Sequence, residues 1–133
     1  MIMCILIIPT YANKTENLID VEEPTIIQAR FTNINVFSNY FDILSNGKAS
    51  VTVYLNARNV DKVKVVAYLQ QYKNGSWSTI KSWSETRDGT SSGIGKNYYV
   101  VSGYSYRLKS YGYVYVKDNL VETDSYIGGS EWY

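Results

Sequence analysis

Strict alternation of apolar and polar side chains in residues 49–58, ASVTVYLNAR, constrains the fold of this chain more than any other feature. Successive side chains of a β-strand point to opposite faces, so a period of two predicts a strand with one buried face. A second alternating segment, VKVVAYLQQY, follows in residues 63–72. The apolar members of the two segments are Ala49, Val51, Val53, Leu55, Ala57, Val63, Val65, Ala67 and Leu69. The sequence therefore predicts two strands that each bury an aliphatic face.

Asn74-Gly75 follows the second strand and predicts a tight hairpin, because both residues accept the positive φ of a type I′ turn. A two-residue loop would pair Lys73 with Ser76, Tyr72 with Trp77 and Leu69 with Ile80. In this register the aliphatic side chains form the core face. The opposite face would carry Tyr68, Gln70, Tyr72, Trp77, Thr79, Lys81 and Trp83.

Further strands are predicted on both sides of this hairpin. Residues 30–45 contain one or two strands before a turn at Asn46-Gly47, and residues 96–103 add another. A second hairpin is expected at residues 117–120, and in its first strand Arg107, Lys109, Tyr111, Tyr113 and Tyr115 share the face opposite the apolar side chains. Residues 86–96, TRDGTSSGIGK, form the longest Gly and Ser cluster and are predicted to be a mobile loop.

About seven strands spaced by roughly ten residues predict an all-β fold, an immunoglobulin-like antiparallel β-sandwich. Tyr104 or Tyr106, near the start of the penultimate strand, is placed to form a tyrosine corner. The disulfide that many such domains contain is absent, because Cys4 is the only cysteine and lies at the N-terminus. We expect the sandwich to span residues 26–133.

The first twelve residues, MIMCILIIPTYA, combine an apolar run with the small residues Thr10 and Ala12. This pattern is typical of a secretory signal peptide cleaved after Ala12. Because Lys14 is the first charged residue, the basic start of such a peptide is missing, and we expect residues 1–12 to be a signal peptide truncated at its start. A hydrophobic first strand is the alternative. The run is shorter than the about 20 apolar residues that cross a bilayer, so no membrane insertion of the mature chain is expected.

Residues 13–25 are predicted to be an acidic linker, since they contain Glu16, Asp20, Glu22 and Glu23 followed by Pro24. In the whole chain thirteen Lys and Arg residues face twelve Asp and Glu residues. A net charge of +1 is too small to attract a phosphate backbone strongly, so nucleic acid is not an expected partner.

The chain contains no histidine, which excludes Ser-His-Asp triads, Cys-His dyads and imidazole metal sites. No cofactor, metal site or catalytic residue is therefore predicted. Two weaker alternatives use oxygen atoms alone. A glycoside hydrolase could use a pair of carboxylates drawn from Asp42, Asp61, Glu85, Asp88, Asp118, Asp124 and Glu131. A calcium ion could bind Asp118, Asn119, Glu122 and Asp124, although turn chemistry explains Asp118-Asn119 equally well.

LQQYKNGSWSTIKSW in residues 69–83 and YYVVSGYSYRL in residues 98–108 together resemble small secreted proteins of unknown function from low-GC Gram-positive bacteria. The recurring set is LQ, NGSW, a second Trp and GYxYR. The resemblance covers about the last two thirds of the chain. It implies a secreted β-sandwich and carries over no activity or site residue.

The rings around Asn74-Gly75 have two interpretations. They stabilise a half-buried hairpin by cross-strand pairing, which contributes about 0.2 to 1 kcal/mol per pair. Alternatively they form a platform on which sugars stack, with Tyr68, Gln70, Tyr72, Trp77, Lys81 and Trp83 as the binding residues. The expected function is a non-catalytic, secreted or cell-surface sandwich that binds a protein or envelope partner. A carbohydrate or cell-wall binding module is the alternative.

Overall fold

A computed structural model describes residues 31–133 and contains eight β-strands in that range. The strands are β1 (Ile34–Ile43), β2 (Lys48–Ala57), β3 (Lys62–Lys73), β4 (Ser76–Asp88), β5 (Ser91–Tyr99), β6 (Ser105–Val116), β7 (Asn119–Ile127) and β8 (Glu131–Trp132). The expected signal peptide, the expected linker and residues 26–30 of the expected domain lie outside the described residues. Among residues 31–133 no helix is long and apolar enough to cross a membrane.

The strands form two antiparallel sheets. The smaller sheet has the order β1-β2-β5, and the larger sheet has the order β4-β3-β6-β7, with β8 beside the start of β6. The first, second and fifth strands thus oppose the third, sixth and seventh, which is the immunoglobulin-like arrangement, and β4 pairs with β3 as strand C′ does in variable-type domains. The predicted all-β, immunoglobulin-like antiparallel β-sandwich is confirmed.

The core lies between the sheets and contains the side chains that the alternation predicted. All nine predicted aliphatic residues of β2 and β3 are at most 4% exposed. Gly112 of β6 lies opposite Leu55, and a Cβ atom at this glycine would overlap the leucine side chain. A glycine at this position therefore lets the two sheets approach closely.

Tyr106 forms the tyrosine corner. Its side chain is fully buried, and its hydroxyl donates a hydrogen bond of 2.6 Å to the backbone carbonyl of Val101. Gln71 Nε2 donates to the same hydroxyl at 3.2 Å. The bond ties the start of β6 to the connection that precedes it, as the immunoglobulin-like fold requires.

Both predicted hairpins are present. Asn74 and Gly75 have φ values of 54° and 81°, and the pairs Lys73 with Ser76 and Tyr72 with Trp77 are formed. The second hairpin turns at Lys117 and Asp118, which also have positive φ. Asn119, predicted together with Asp118 to be a turn residue, begins β7 instead.

The hairpin register is wrong beyond Thr79. Gln70 pairs with Thr79, but Leu69 pairs with Lys81 instead of Ile80, so Ile80 is the extra residue of a β-bulge. One extra residue transfers every later side chain of β4 to the opposite face. The expectation that Lys81 and Trp83 share a face with Trp77 is therefore wrong.

The prediction of a mobile loop over residues 86–96 is also wrong. β4 continues to Asp88, and β5 begins at Ser91, so Gly89 and Thr90 alone connect the two strands. Gly93 and Gly95 of this segment lie on β5, where Gly93 pairs with Tyr54 of β2. Gly93 lies close to the backbone carbonyl of Val53, which explains why a residue without a side chain occupies a strand here.

Candidate functional site

The outer face of the larger sheet combines two rows of side chains, because β3 and β6 are direct neighbours. Their register places a cation opposite a tyrosine three times: Lys62 opposite Tyr115, Lys64 opposite Tyr113, and Tyr68 opposite Lys109. We call this surface the aromatic face. Its members are Lys62, Lys64, Tyr68, Gln70, Tyr72, Trp77, Thr79, Arg107, Lys109, Tyr111, Tyr113 and Tyr115.

Cations and rings contact one another along the whole face. The Lys62 ammonium lies 4.9 Å from the centre of the Tyr115 ring, and the Lys64 ammonium lies 5.7 Å from the Tyr113 ring. The Lys109 ammonium lies 5.6 Å from the centre of the Tyr111 ring. These distances fall within the range of cation–π attraction, so each lysine is held over a ring while its charge remains near the surface.

The rings also contact each other. Tyr68 meets Tyr111 edge to face with 5.9 Å between ring centres, and Tyr111 stacks on Tyr113 at 6.3 Å with 20° between the planes. The side chains of Tyr68, Tyr111 and Tyr113 are half-buried. Ring contacts across and along the strands therefore order these rings, and they leave part of each in solvent.

Trp77 lies between two neighbours at the hairpin end of the face. The Arg107 guanidinium is 4.3 Å from its ring, and the Tyr72 ring is 5.1 Å away on a tilted plane. Arg107 Nε also donates a hydrogen bond of 2.8 Å to Gln70 Oε1, and Gln70 Nε2 donates one of 3.3 Å to Thr79 Oγ1. Gln70 is nearly buried, so this network fixes the polar groups at the centre of the face.

A shallow depression of about 330 Å³ lies in the aromatic face, lined by Tyr68, Gln70, Thr79, Lys109, Tyr111 and Tyr113. On one side β4 places Ser82 opposite Tyr68 and Thr86 opposite Lys64, and these short side chains leave space beside the rings. The depression therefore combines ring walls, an amide, hydroxyls and one ammonium.

Four of the six predicted binding residues lie on the aromatic face. Tyr68 and Gln70 line the depression, and Tyr72 and Trp77 lie beside it. Lys81 and Trp83 do not belong to this face, because the bulge at Ile80 rotates them away. This is a correction to the predicted site.

Trp83 contacts the core side of the larger sheet. It pairs with fully buried Ala67 and packs at half-burial against the core around Leu69 and Tyr106. Its ring meets Tyr98 edge to face at 6.3 Å, and the Lys81 ammonium lies about 6 Å from both rings. Trp83 is therefore a packing residue.

Arg107, Lys109, Tyr111 and Tyr113 were not predicted to be binding residues, although alternation correctly assigned them to one outer face. The missing information is the pairing of β3 with β6, which joins residues about 40 to 50 positions apart. Lys and Tyr recur at alternate positions in both strands, and this sequence signal could have indicated the pairing, since cations and rings are favourable cross-strand neighbours.

Three carboxylates form contacts that stabilise the scaffold. Asp118 accepts a hydrogen bond of 2.7 Å from the Lys62 ammonium; this contact lowers the pKa of Asp118 and raises the pKa of Lys62. Glu85 pairs with Arg87, and Glu122 Oε1 accepts hydrogen bonds from the backbone N–H groups of Asn33 and Ile34.

Residues 31–133 contain no group of three or more acidic, His or Cys side chains that could hold a metal ion. The calcium alternative at Asp118, Asn119, Glu122 and Asp124 therefore gains no support from the described part of the chain. Among the described residues, no carboxylate lines the depression.

The outer face of the smaller sheet has a different character. Tyr40 and Tyr99 are 56% and 64% exposed, and among the described residues neither ring takes part in an aromatic or cation–π contact. Tyr54 lies beside Gly93, and Ser50 and Thr52 occupy the positions between the rings. These tyrosines lie outside the aromatic face and provide matched controls for it.

A comparison of the chain with protein-family models gave no match, and a comparison with curated proteins gave none either. The resemblance to small secreted proteins of Gram-positive bacteria accordingly stays a prediction.

Proposed function

We propose that this protein is a non-catalytic binding module that holds an envelope polysaccharide on its aromatic face. The observation that carries this proposal is the convergence of three half-buried tyrosine rings with fixed hydrogen-bonding groups on one shallow depression. Ligand sites are concave and combine apolar or aromatic walls with a few well-placed polar groups, and they start at about 300 Å³. The depression meets this description at its lower limit.

The chemistry of the lining suits a sugar. A pyranose has an apolar C–H face that packs on a phenol ring, and its edge carries hydroxyls that donate and accept hydrogen bonds. Tyr68 and Tyr111 supply the rings. Thr79 and the tyrosine hydroxyls supply polar partners around the rim, and Gln70 is held in one orientation by Arg107. A pre-ordered site of this kind loses little side-chain entropy on binding.

A non-catalytic role fits the placement of the carboxylates. Glycoside hydrolysis uses two carboxyl groups about 5 to 9.5 Å apart across the scissile bond. In the described part of the chain, the groups that line the depression are phenols, an amide, a hydroxyl and an ammonium. Incubation of the protein with polysaccharide and assay of new reducing ends tests this point, and release of sugars would contradict it.

Export to the cell surface or the medium belongs to the same proposal. Its support is the pattern of residues 1–12, an apolar run followed by Thr10 and Ala12. An envelope polysaccharide is a ligand that an exported module meets. The intact mass of the protein from culture supernatant tests cleavage after Ala12, and a retained Met1 would contradict it.

A protein partner is the second candidate, and the edge formed by β7 and β8 favours it. Large apolar side chains are exposed there: Leu120, Val121, Tyr126, Ile127 and Trp132. Leu120 adjoins Val121 and Tyr126 adjoins Ile127, and contiguous exposed apolar surface is typical of protein contacts. The variant Trp132→Ser separates the two candidates, because it should leave polysaccharide binding unchanged.

The direct test compares tyrosines on the two outer faces. Sedimentation of the full chain with insoluble peptidoglycan, chitin or cellulose measures binding. We expect Tyr68→Ala and Tyr111→Ala each to weaken binding by about fivefold to tenfold or more, since truncating a central aromatic contact typically costs over about 1 kcal/mol.

The matched control is Tyr40→Ala, which removes an exposed tyrosine from the smaller sheet. It should bind as the wild type does. Thermal melts of all three variants identify any loss caused by unfolding. Equal losses for Tyr40→Ala and Tyr68→Ala would contradict the assignment of the site, and no binding by the wild type to any polysaccharide would contradict the proposed function.

A further inference from the structure

The charges on the aromatic face are distributed unevenly. At one end the Lys62 ammonium is paired with Asp118 at 2.7 Å, and Asp88 lies opposite Lys62 in the neighbouring strand. Around the depression the cations are Lys64, Arg107 and Lys109, and none of them forms an ion pair with the described residues. Among the described residues, the positive charge is therefore neutralised at the Lys62 end and unneutralised beside the depression.

The small net charge of the chain conceals this local excess. Four of its twelve acidic residues are Glu16, Asp20, Glu22 and Glu23, in the segment before the described residues. Glu85 is paired with Arg87, and Glu122 accepts hydrogen bonds from the backbone of β1. A local field is set by the nearest charges, because exposed charges more than about 10 Å apart are largely screened at 0.1 M salt.

The three cations surround the polar groups of the depression. Lys109 is part of its lining, Lys64 lies over the ring of Tyr113, and Arg107 is bonded to Gln70. A sugar that stacks on Tyr68 or Tyr111 would therefore bring the substituents at its edge close to a positive charge. Carboxylate or phosphate substituents would form charge-assisted hydrogen bonds there, which are stronger than bonds between neutral groups.

We infer that the polysaccharide held by the aromatic face is anionic, with carboxylate or phosphate groups spaced along it. This inference rests on the proposed function. Lys64, Arg107 and Lys109 select this polysaccharide, and the tyrosine rings hold its sugars. A neutral polysaccharide makes the ring contacts alone. A single-stranded nucleic acid is the competing anionic polymer, but proteins hold it along a groove several nucleotides long, whereas the depression is a single site of about 330 Å³.

The test measures binding of the full chain by biolayer interferometry to four immobilised polymers. Polygalacturonate carries carboxylates, yeast phosphomannan carries phosphates, dextran is neutral, and single-stranded poly-deoxythymidine represents nucleic acid. We expect one or both anionic polysaccharides to bind about tenfold or more tightly than dextran at low salt, and we expect this preference to fall as salt rises. The anionic polysaccharide that binds more tightly identifies the preferred charged group, carboxylate or phosphate.

The double variant Lys64→Gln/Lys109→Gln should lose the preference for the anionic polysaccharide and retain its weak binding to dextran. Lys48→Gln/Lys96→Gln removes the same charge from the smaller sheet and should keep the preference. Thermal melts of both variants confirm that they are folded.

Three other results of these binding measurements would contradict the inference or the proposed function. Equal binding to dextran and to the charged polysaccharides, unaffected by the double variant, would overturn the inference and leave the proposed function intact. Tighter binding to poly-deoxythymidine than to either anionic polysaccharide would overturn the inference in favour of nucleic acid. Failure to bind any polysaccharide in this set, or peptidoglycan, chitin and cellulose, would overturn both.

Discussion

Trp77 and Trp83 lie on the same strand, six residues apart, yet they belong to opposite faces of the larger sheet. Trp77 lies on the outer face between Tyr72 and Arg107, whereas Trp83 packs beside Tyr98 on the core side. An even separation in a regular strand would place both on one face. The extra residue Ile80 accounts for the difference, since it shifts the pairing of β4 by one position.

The two ends of β4 therefore contribute to different faces of the larger sheet. The segment before Ile80 completes the aromatic face, and the segment after it covers the edge of the core. Ile80 itself is half-buried and packs against the core cluster around Leu69. One irregular residue therefore lets a single strand supply an aromatic side chain to each side of the sheet.

The largest effect is expected for Trp83→Ala. Truncation of a fully buried aromatic residue costs about 3 to 5 kcal/mol, and because Trp83 is half-buried we expect a loss of about 2 to 4 kcal/mol in the free energy of unfolding. Urea denaturation followed by circular dichroism measures it. Below its unfolding transition, the variant should still bind polysaccharide.

The matched control is Trp77→Ala, on the other side of the bulge. Its main contacts are cross-strand neighbours on the sheet surface, so we expect a loss of under about 2 kcal/mol. Polysaccharide binding should fall, since Arg107 loses the ring that orients it. A Trp77→Ala protein that is less stable than Trp83→Ala would reverse the assignment of the two faces.

An intermediate effect is expected when Ile80 is deleted. Without it Thr79 is followed directly by Lys81, so the pairs Gln70 with Thr79 and Leu69 with Lys81 become consecutive steps of a regular ladder. Trp83 should remain on the core side. The cost is the packing of one half-buried isoleucine, about 1 to 2 kcal/mol.

Trp83 fluorescence in a Trp77→Phe/Trp132→Phe background reports the outcome of this deletion. An emission maximum like that of the undeleted background protein would show that Trp83 is still packed. A shift to the red, together with a stability loss as large as that of Trp83→Ala, would show that the bulge is needed for the twist of β4 and not only for its register.

The sequence predicted those parts of the fold that local pattern determines. Alternation in β2 and β3 identified the buried faces, and Asn74-Gly75 determined the turn and the first pairs of the hairpin. The bulge could not be predicted, because Ile80 is a good strand residue and no Gly or Pro marks the irregularity. From that position onward, an alternation counted from the turn gave the wrong face.

The candidate site was predicted in part for a related reason. Tyr68, Gln70, Tyr72 and Trp77 were correctly assigned to one outer face, because they precede the bulge. The second half of the site comes from β6, and its contribution depends on a pairing between strands that are distant in the sequence. Local periodicity determines which side chains share a face of a strand, but it carries no information about which strand lies next to it.

The smallest effect is expected for Lys81→Gln, which tests whether Lys81 lies on the same side of the sheet as Trp83. The Lys81 ammonium lies about 6 Å from the rings of Trp83 and Tyr98, on the core side of the sheet edge. Exposed cation–π contacts contribute about 0.5 to 1 kcal/mol, so the variant should be at most about that much less stable. Polysaccharide binding, measured on peptidoglycan and polygalacturonate, should be unchanged, in contrast to Lys64→Gln/Lys109→Gln. Because Lys81 was predicted from the sequence to be a binding residue, a loss of binding in Lys81→Gln comparable to that of Lys64→Gln/Lys109→Gln would restore the regular register and place both tryptophans on the aromatic face.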